Sequence, residues 1–195
     1  MIQERLKELR AQMQERGIDI YIVPTSDFHQ SEYVGEYFKA RKYMTGFTGS
    51  AGTAVITKEE AGLWTDGRYF IQAEKQLEGS TVKLFKMGEE GVPKVEEYVK
   101  DHLTEGSCIG FDGRVMDAKS GEKYAKMAEE KKAALYVKED LVGNIWKDRP
   151  QLPANKVWIL EDAYAGRSMA DKIADVRIQM QKEGADIHIL SSLYD

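Results

Sequence analysis

The sequence predicts an α/β fold, in which a mixed sheet is covered by helices on both faces. Two observations lead to this prediction. Segments with the alternating apolar pattern of strands are separated by segments with helical spacing of apolar residues. Residues 53–57 and 62–65 also form two strand-like segments around the turn 58–61, which predicts an antiparallel hairpin. Strands joined by helices, together with one hairpin, indicate a sheet with both parallel and antiparallel pairs.

The first predicted elements are a helix and a strand. The helix carries its apolar residues on one face, at Ile2, Leu6, Leu9 and Met13. Gly17 follows, where a left-handed C-terminal cap forms most easily. Residues 18–22 then alternate as a strand, and a polar, aromatic segment extends from residue 26 to residue 52.

The hairpin is followed by a helix that Asp66 caps, with Phe70, Ala73 and Leu77 as its inward positions. A strand is predicted at 81–87, and a helix at 92–103 with Pro93 in its first turn. The remaining predicted elements are a strand at 108–111, a helix at 119–132, a strand at 135–137 and a short helix at 141–147.

An internal repeat suggests a second domain. Residues 5–28 and 172–195 align without gaps and are identical at eight positions. The second copy begins with Ser168 and Asp171, which resemble a capping box, and it includes a glycine cap at Gly184 and a predicted strand at 185–189. An ordinary helix–glycine–strand unit of an α/β protein would show a similar pattern, so this alternative stays open.

The predicted organisation has a first domain at 1–148, a linker at 149–155 and the truncated start of a related α/β domain at 156–195. The linker contains two of the four prolines. The second domain would have only a first strand near Lys156, a helix and a second strand. We therefore expect the chain to be part of a longer protein.

Composition excludes several classes of function. The net charge is −5, whereas a general nucleic-acid binder needs a basic face. No apolar run approaches the roughly 20 residues of a transmembrane helix, and the charged amino terminus is unlike a secretory signal. The single cysteine, Cys108, fits a reducing, cytoplasmic compartment.

The glycine-rich segment 46–52 has two interpretations. A phosphate-binding loop would lead into a helix and carry a lysine at a fixed spacing, whereas this segment leads into the strand at 53–57. A tight crossing of backbone on backbone agrees better with the sequence. Ser50 is not in a nucleophile-elbow pattern, and no histidine is placed beside it.

Acidic and histidine side chains form no recognisable metal-binding pattern. Asp27, His29 and Glu32 are potential ligands within six residues, but their spacing matches no standard set. His102 and His188 are isolated in the sequence. We expect structural or hydrogen-bonding roles for all three histidines.

Arg68 is an unusual residue for its position in the sequence. A positive charge in the first turn of a helix interacts unfavourably with the helix dipole, at a cost of about 0.3–1 kcal/mol. An exposed arginine paired with Asp66 or Glu32 would explain it without a function. A guanidinium that must face outward to bind a carboxylate or a carbonyl would explain it equally well.

Three motifs carry a resemblance to a known family. The sequence resembles the amino-terminal part of Xaa-Pro aminopeptidase (aminopeptidase P) of the three-domain type at 27–33, 46–52 and 64–69, and the similarity continues through 141–150. Creatinase and prolidase amino-terminal domains share these motifs more loosely. The resemblance implies a ribonuclease H-like creatinase amino-terminal domain, followed by a domain of similar fold.

The resemblance also implies a peptidase that uses two divalent metals, usually manganese, to remove a first residue when proline comes second. Its ligands, two Asp, one His and two Glu, belong to a later catalytic domain, so no metal is expected to bind to residues 1–195. In relatives this region takes part in dimerisation, and the arginine of its D-G-R-Y motif approaches the neighbouring active site. The resemblance therefore implies that Arg68, with Tyr69 and Phe47 nearby, contacts substrate across a homodimer.

The functional hypothesis is a non-catalytic amino-terminal fragment of a cytoplasmic Xaa-Pro aminopeptidase, which provides subunit contacts and substrate-site residues. The expected partners are a peptide with proline at its second position and a second copy of the chain, but neither nucleic acid nor membrane. The alternative is a free-standing binding or assembly module. A small hydrolase complete in itself would lack a nucleophile–base pair or a metal set.

Overall fold

A six-stranded mixed sheet forms the centre of the computed structural model, which describes residues 1–192. Its strands are β1 (Ile20–Pro24), β2 (Thr53–Thr57), β3 (Ala61–Thr65), β4 (Val82–Lys86), β5 (Cys108–Phe111) and β6 (Ala134–Tyr136). The strand order is β4-β3-β2-β1-β5-β6.

The sheet contains both kinds of strand pair. β2 runs antiparallel to its neighbours β1 and β3, with Ile22 opposite Val55 and Val55 opposite Gly62. The pairs β1–β5, β3–β4 and β5–β6 are parallel. The predicted mixed sheet and its hairpin are therefore confirmed.

Helices cover the sheet on both faces, as the sequence predicts. They are α1 (Ile2–Glu15), α2 (Ala40–Thr45), α3 (Phe70–Leu77), α4 (Val95–His102), α5 (Ala118–Glu130) and α6 (Leu141–Ile145). Two short 3-10 helices, at Glu36–Phe38 and Gly67–Tyr69, precede α2 and α3.

Alternation along each strand divides the core into two layers. Tyr21 and Val23 of β1 belong to the cluster that also contains buried residues of α1, α2, α3 and α6. Ile20 and Ile22 of the same strand belong to the cluster formed with α4 and α5. Successive side chains of a strand point to opposite faces, so one strand contributes to both cores.

The helix predicted at 92–103 begins later than expected. Pro93 lies before α4 instead of in its first turn, and its carbonyl accepts a hydrogen bond from the indole Nε1 of Trp64 at 2.8 Å. Lys94 is the N-cap, and its backbone N–H donates to the Glu97 carboxylate at 2.8 Å. This contact with a buried tryptophan keeps Pro93 outside the helix, which overrides the local preference of proline for a first turn.

The chain divides into two units, Met1–Gln151 and a second that begins at Leu152. The second unit contains α7 (Asp162–Ala165) and α8 (Met169–Glu183). Ser168 caps α8 by accepting the backbone N–H of Asp171 at 3.1 Å, as its sequence predicts.

The repeat is reproduced in the helices but not in the strands. Gly17 and Gly184, with φ of +65° and +64°, both adopt the left-handed conformation after α1 and α8. By contrast, the predicted strands near Lys156 and at 185–189 are wrong, because these segments have no strand assignment in the described residues. A strand requires a neighbouring strand to hydrogen-bond its backbone, and the structure describes none beside them.

Candidate functional site

The segment between α2 and β2 is held by a buried arginine, Arg41. Its guanidinium donates from Nη1 to the Phe47 carbonyl at 2.6 Å, from Nη2 to the Gly49 carbonyl, and from Nε to the Thr25 hydroxyl at 3.0 Å. Burial lowers the pKa of Arg41 from its ordinary 12.5 to about 10, so the side chain remains charged at neutral pH. Arg41 therefore fixes the path of the glycine-rich segment from inside.

The glycines of 46–52 provide room for close packing. A Cβ atom at Gly49 would lie 2.2 Å from Cζ of Phe47 and 2.8 Å from Cδ1 of Tyr69. Gly52 has φ of +152°, and a Cβ there would lie 2.8 Å from the carbonyl oxygen of Trp64. The contact at Gly52 agrees with the predicted tight crossing of backbone on backbone, whereas the contacts at Gly49 are with aromatic side chains.

The first three backbone N–H groups of this segment are used internally. Those of Gly46, Phe47 and Thr48 donate to the Lys42 carbonyl, the Thr45 hydroxyl and the Gln76 side-chain carbonyl, respectively. A phosphate-binding loop instead directs such groups at its ligand. The N–H groups of residues 46–48 are therefore not directed at a ligand as those of a phosphate-binding loop are.

Arg68 lies at the carboxyl end of β3 and is paired with Asp66. Its Nε and Nη2 donate to the two carboxylate oxygens of Asp66 at 2.8 and 2.9 Å, while its side chain remains 69% exposed. Its Nη1 donates to no group among residues 1–192. The hydrogen bonds from Arg68 lower the pKa of Asp66 to about 2, and the same pairing raises the pKa of Arg68. Arg68 therefore presents a fixed and partly unengaged guanidinium to solvent.

Tyr69 connects Arg68 to the glycine-rich segment. The Arg68 guanidinium carbon lies 5.1 Å from the centre of the Tyr69 ring, and the Tyr69 hydroxyl lies 2.6 Å from Ser50 Oγ. The Phe47 ring meets Tyr69 edge to face at 5.8 Å. Phe47 has no exposed surface, so it packs behind Tyr69 and is not in a position to touch a ligand.

Asp27, His29 and Glu32 do not form a cluster of metal ligands. The Asp27 carboxylate accepts the backbone N–H groups of His29 at 2.8 Å and Ser31 at 3.0 Å, so it caps a local turn. Burial alone would raise the pKa of Asp27, but these hydrogen bonds outweigh it and lower the pKa. Within residues 1–192 no three His, Cys, Asp or Glu side chains lie together as a group that could hold a metal ion.

The other two histidines lie elsewhere. His102 hydrogen-bonds the Tyr98 carbonyl through Nδ1 at 2.8 Å and stacks on the Tyr98 ring at 3.9 Å. His188 is exposed in the second unit. No histidine in the described part of the chain hydrogen-bonds Ser50, whose partner is Tyr69.

Two features of this region were missed by sequence reasoning. The first is Arg41, whose partners lie across a loop and leave no local pattern. The second is a repeat of the triplet Asp-Gly-Arg: Asp112 and Arg114 follow β5 as Asp66 and Arg68 follow β3. Arg114 grips Asp112 from Nε at 3.0 Å and from Nη2 at 2.9 Å, nearly the geometry of the first pair. The repeated triplet after two strands was a signal that could have revealed this second turn.

No helix in the described residues is both long and apolar enough to cross a bilayer.

Known proteins resemble the chain over nearly its full length. It is 41% identical to aminopeptidase P2 of Arabidopsis thaliana over 99% of the chain, but this match spans only 28% of that protein. The crystal structure of X-prolyl aminopeptidase from Caenorhabditis elegans, a cytosolic enzyme with a di-nuclear active site, matches 95% of the chain and 32% of that protein. The TM-score is 0.86 and the identity 32%.

A more distant match covers only one domain. The N-terminal domain of the cytoplasmic peptidase PepQ from Mycobacterium tuberculosis H37Rv is 26% identical, with a TM-score of 0.52. The match covers 73% of this chain and 98% of that domain.

Family models match both parts of the sequence. A model of the creatinase/prolidase N-terminal domain matches residues 5–139, and a second model of the same description matches residues 148–195. The first match alone covers more than half of the chain, together with β1 to β6 and the Asp66–Arg68 turn. The chain therefore belongs to the creatinase/prolidase N-terminal domain family, and it corresponds to the amino-terminal part of Xaa-Pro aminopeptidases.

Proposed function

We propose that this chain is the non-catalytic amino-terminal part of an Xaa-Pro aminopeptidase, the class of enzyme that removes a residue preceding proline. The similarity to aminopeptidase P2 and to the Caenorhabditis elegans enzyme over nearly the whole chain supports this proposal. Since the chain spans about a third or less of either protein, the bond-breaking step is assigned to the part that lies outside the match.

The exposed guanidinium of Arg68 is the observation that carries the substrate role. Asp66 fixes two of its nitrogens, and Nη1 remains available for a carbonyl or carboxylate of a bound peptide. The Tyr69 ring packs beside the guanidinium, and the Phe47 ring packs against Tyr69. We assign substrate contact to Arg68 and Tyr69, and a positioning role to Phe47.

The two divalent metals that the family implies do not fit the described residues of this chain. Asp66 and Asp112 are paired with arginines, Asp27 caps a turn, and no ligand group is assembled. The metals, with manganese as the expected ion, therefore belong to the proposed catalytic part. We further propose that the intact protein is a cytoplasmic homodimer, in which Arg68 faces the partner's active site.

The location of catalysis can be tested with the purified chain. Residues 1–195 should show no turnover of an Xaa-Pro peptide with Mn²⁺ added, whereas the product of the complete gene should hydrolyse it. Clear turnover by residues 1–195 alone would contradict the proposal.

A free-standing binding module is the second candidate. The unit Met1–Gln151 contains the whole six-stranded sheet and both core layers, so it has the parts of an independent domain. A complete gene product that lacks a metal-ligand set and peptidase activity would favour this candidate.

A further inference from the structure

Arg41 is a buried cation that has no carboxylate partner. Only 3% of the residue is exposed, and its three hydrogen-bond acceptors are the neutral oxygens of Thr25, Phe47 and Gly49. None of the carboxylates of residues 1–192 forms an ion pair with Arg41; those nearest in sequence and fold, such as Glu36, pair with lysines or are exposed.

An unpaired buried charge is unusual for physical reasons. Removing a guanidinium from water is costly, and arginine is rarely fully buried unless an opposite charge accompanies it. The Phe47 ring, 4.7 Å from the guanidinium carbon, and the two carbonyls solvate the charge but do not neutralise it. Of the five N–H groups of Arg41, three donate to described residues, so two remain for another acceptor.

Arg41 lines a cavity of about 240 Å³. Lys39 and Lys42 also line it, and both lie near Glu36 on the adjacent 3-10 helix. Glu32 lines it as well, and it is exposed and has no ion pair with Arg41. The two lysines are matched in charge by Glu36 and Glu32, so the one positive charge in excess is that of Arg41.

We propose that this cavity, between Arg41 and the pair Lys39 and Lys42, binds a small carboxylate, either a free organic acid or the C-terminus of a short peptide. Two free N–H groups of a planar guanidinium match the two oxygens of a carboxylate. The inference does not depend on peptidase activity, because it concerns binding to this chain alone.

The test is an NMR titration of residues 1–195 that follows the Nε–H resonance of Arg41 and the amides of Gly49 and Ser50. Sodium acetate replaces sodium chloride at constant ionic strength, so that general screening stays fixed. We expect saturable shifts at these resonances. Shifts that do not saturate would overturn the proposal. Equal shifts in a control titration, in which sodium chloride is added in place of sodium acetate, would also overturn it.

Triglycine and triglycine amide separate the two sources of carboxylate. Binding of triglycine but not of its amide supports a peptide C-terminus, and binding of acetate alone supports a free acid. Equal binding of triglycine and its amide would overturn recognition of a carboxylate.

Charge variants on the exposed rim test the site without removing Arg41 from the fold. Lys42→Gln should weaken acetate binding about threefold and Glu32→Gln should strengthen it about threefold, since a nearby exposed charge contributes modestly. Lys75→Gln, on α3 and outside the cavity lining, is the matched control and should leave the dissociation constant unchanged. Equal affinity in all three variants would contradict the proposed location.

Discussion

Arg68 grips the carboxylate of Asp66, two residues before it, through Nε at 2.8 Å and Nη2 at 2.9 Å. The backbone N–H of Arg68 also donates to the same carboxylate at 3.1 Å. Three donors from one residue thus converge on one side chain, although that side chain is 38% exposed. The orientation of Arg68 is therefore set locally, before any ligand is bound.

The carboxyl group of Asp66 should titrate near pH 2 in the folded chain, because hydrogen bonds from Arg68 lower its pKa to about 2 from an ordinary 3.8. A lowered carboxyl pKa stabilises the fold above the unfolded value, and this contribution is lost as the pH falls through the folded pKa. The loss should therefore begin near pH 4 and be complete only below about pH 2. Carboxyl-carbon NMR measures the pKa directly, and in Arg68→Ala it should return towards 3.8. An unchanged pKa in that variant would show that Arg68 is not its cause.

Gly49→Ala should destabilise the first unit by about 1–3 kcal/mol, as overpacking of a filled core does. The added Cβ would approach the rings of both Phe47 and Tyr69 to less than 3 Å. Urea unfolding followed by circular dichroism measures the change. Gly35→Ala is the control, since nothing lies within 4 Å of a Cβ there, and it should change stability by less than about 0.5 kcal/mol. Equal effects of the two substitutions would refute the steric argument.

The two copies of the repeat should differ in their response to truncation of an apolar residue. Leu6 is 1% exposed, so Leu6→Ala should lower the free energy of unfolding by about 2–5 kcal/mol. Its counterpart Ile173 is 43% exposed, and Ile173→Ala should cost less than about 1 kcal/mol. The measurement is urea unfolding of residues 1–195, and comparable losses would mean that Ile173 is buried in solution.

Arg68→Ala in the complete gene product should slow hydrolysis of an Xaa-Pro peptide while metal content stays unchanged. Loss of one charged hydrogen bond to substrate corresponds to about 1.5–3 kcal/mol, or roughly ten- to a hundredfold in kcat/KM. Arg167→Ala is a matched control, because Arg167 is also an exposed arginine paired with an aspartate, Asp175, at 2.5 Å. Kinetics like those of the unmodified enzyme would remove Arg68 from the substrate site.

The sequence predicts the sheet well because alternation is a local signal. Tyr21 and Ile22 differ by one position and lie in different core layers, which the period-2 pattern alone implies. The later start of α4 was not predictable, because it depends on a hydrogen bond between Trp64 and Pro93 that spans 29 positions. The strand predicted at 185–189 failed for a related reason: alternation shows that a segment suits a sheet, but not that a neighbour is present.

The candidate site was predicted in part. Arg68 was identified because its charge conflicts with a helix start, and such conflicts are visible in a single sequence. Arg41 was not identified, since its acceptors at positions 47 and 49 are backbone carbonyls, which every residue possesses. Its significance follows only from its burial together with the absence of a carboxylate partner among residues 1–192.

The same Asp-Gly-Arg turn follows β3 and β5 in different surroundings. A comparison of the two therefore shows how far the triplet itself sets the orientation of its arginine. Arg114 lies beside Asp140 and the Phe28 ring, whereas Arg68 lies beside the Tyr69 ring, yet both exposed arginines hold their aspartates in nearly the same way. The Asp-Gly-Arg triplet after a strand is thus sufficient to fix the orientation of a guanidinium through its own aspartate. A protein designer could graft it onto another sheet wherever a cation must point in a chosen direction.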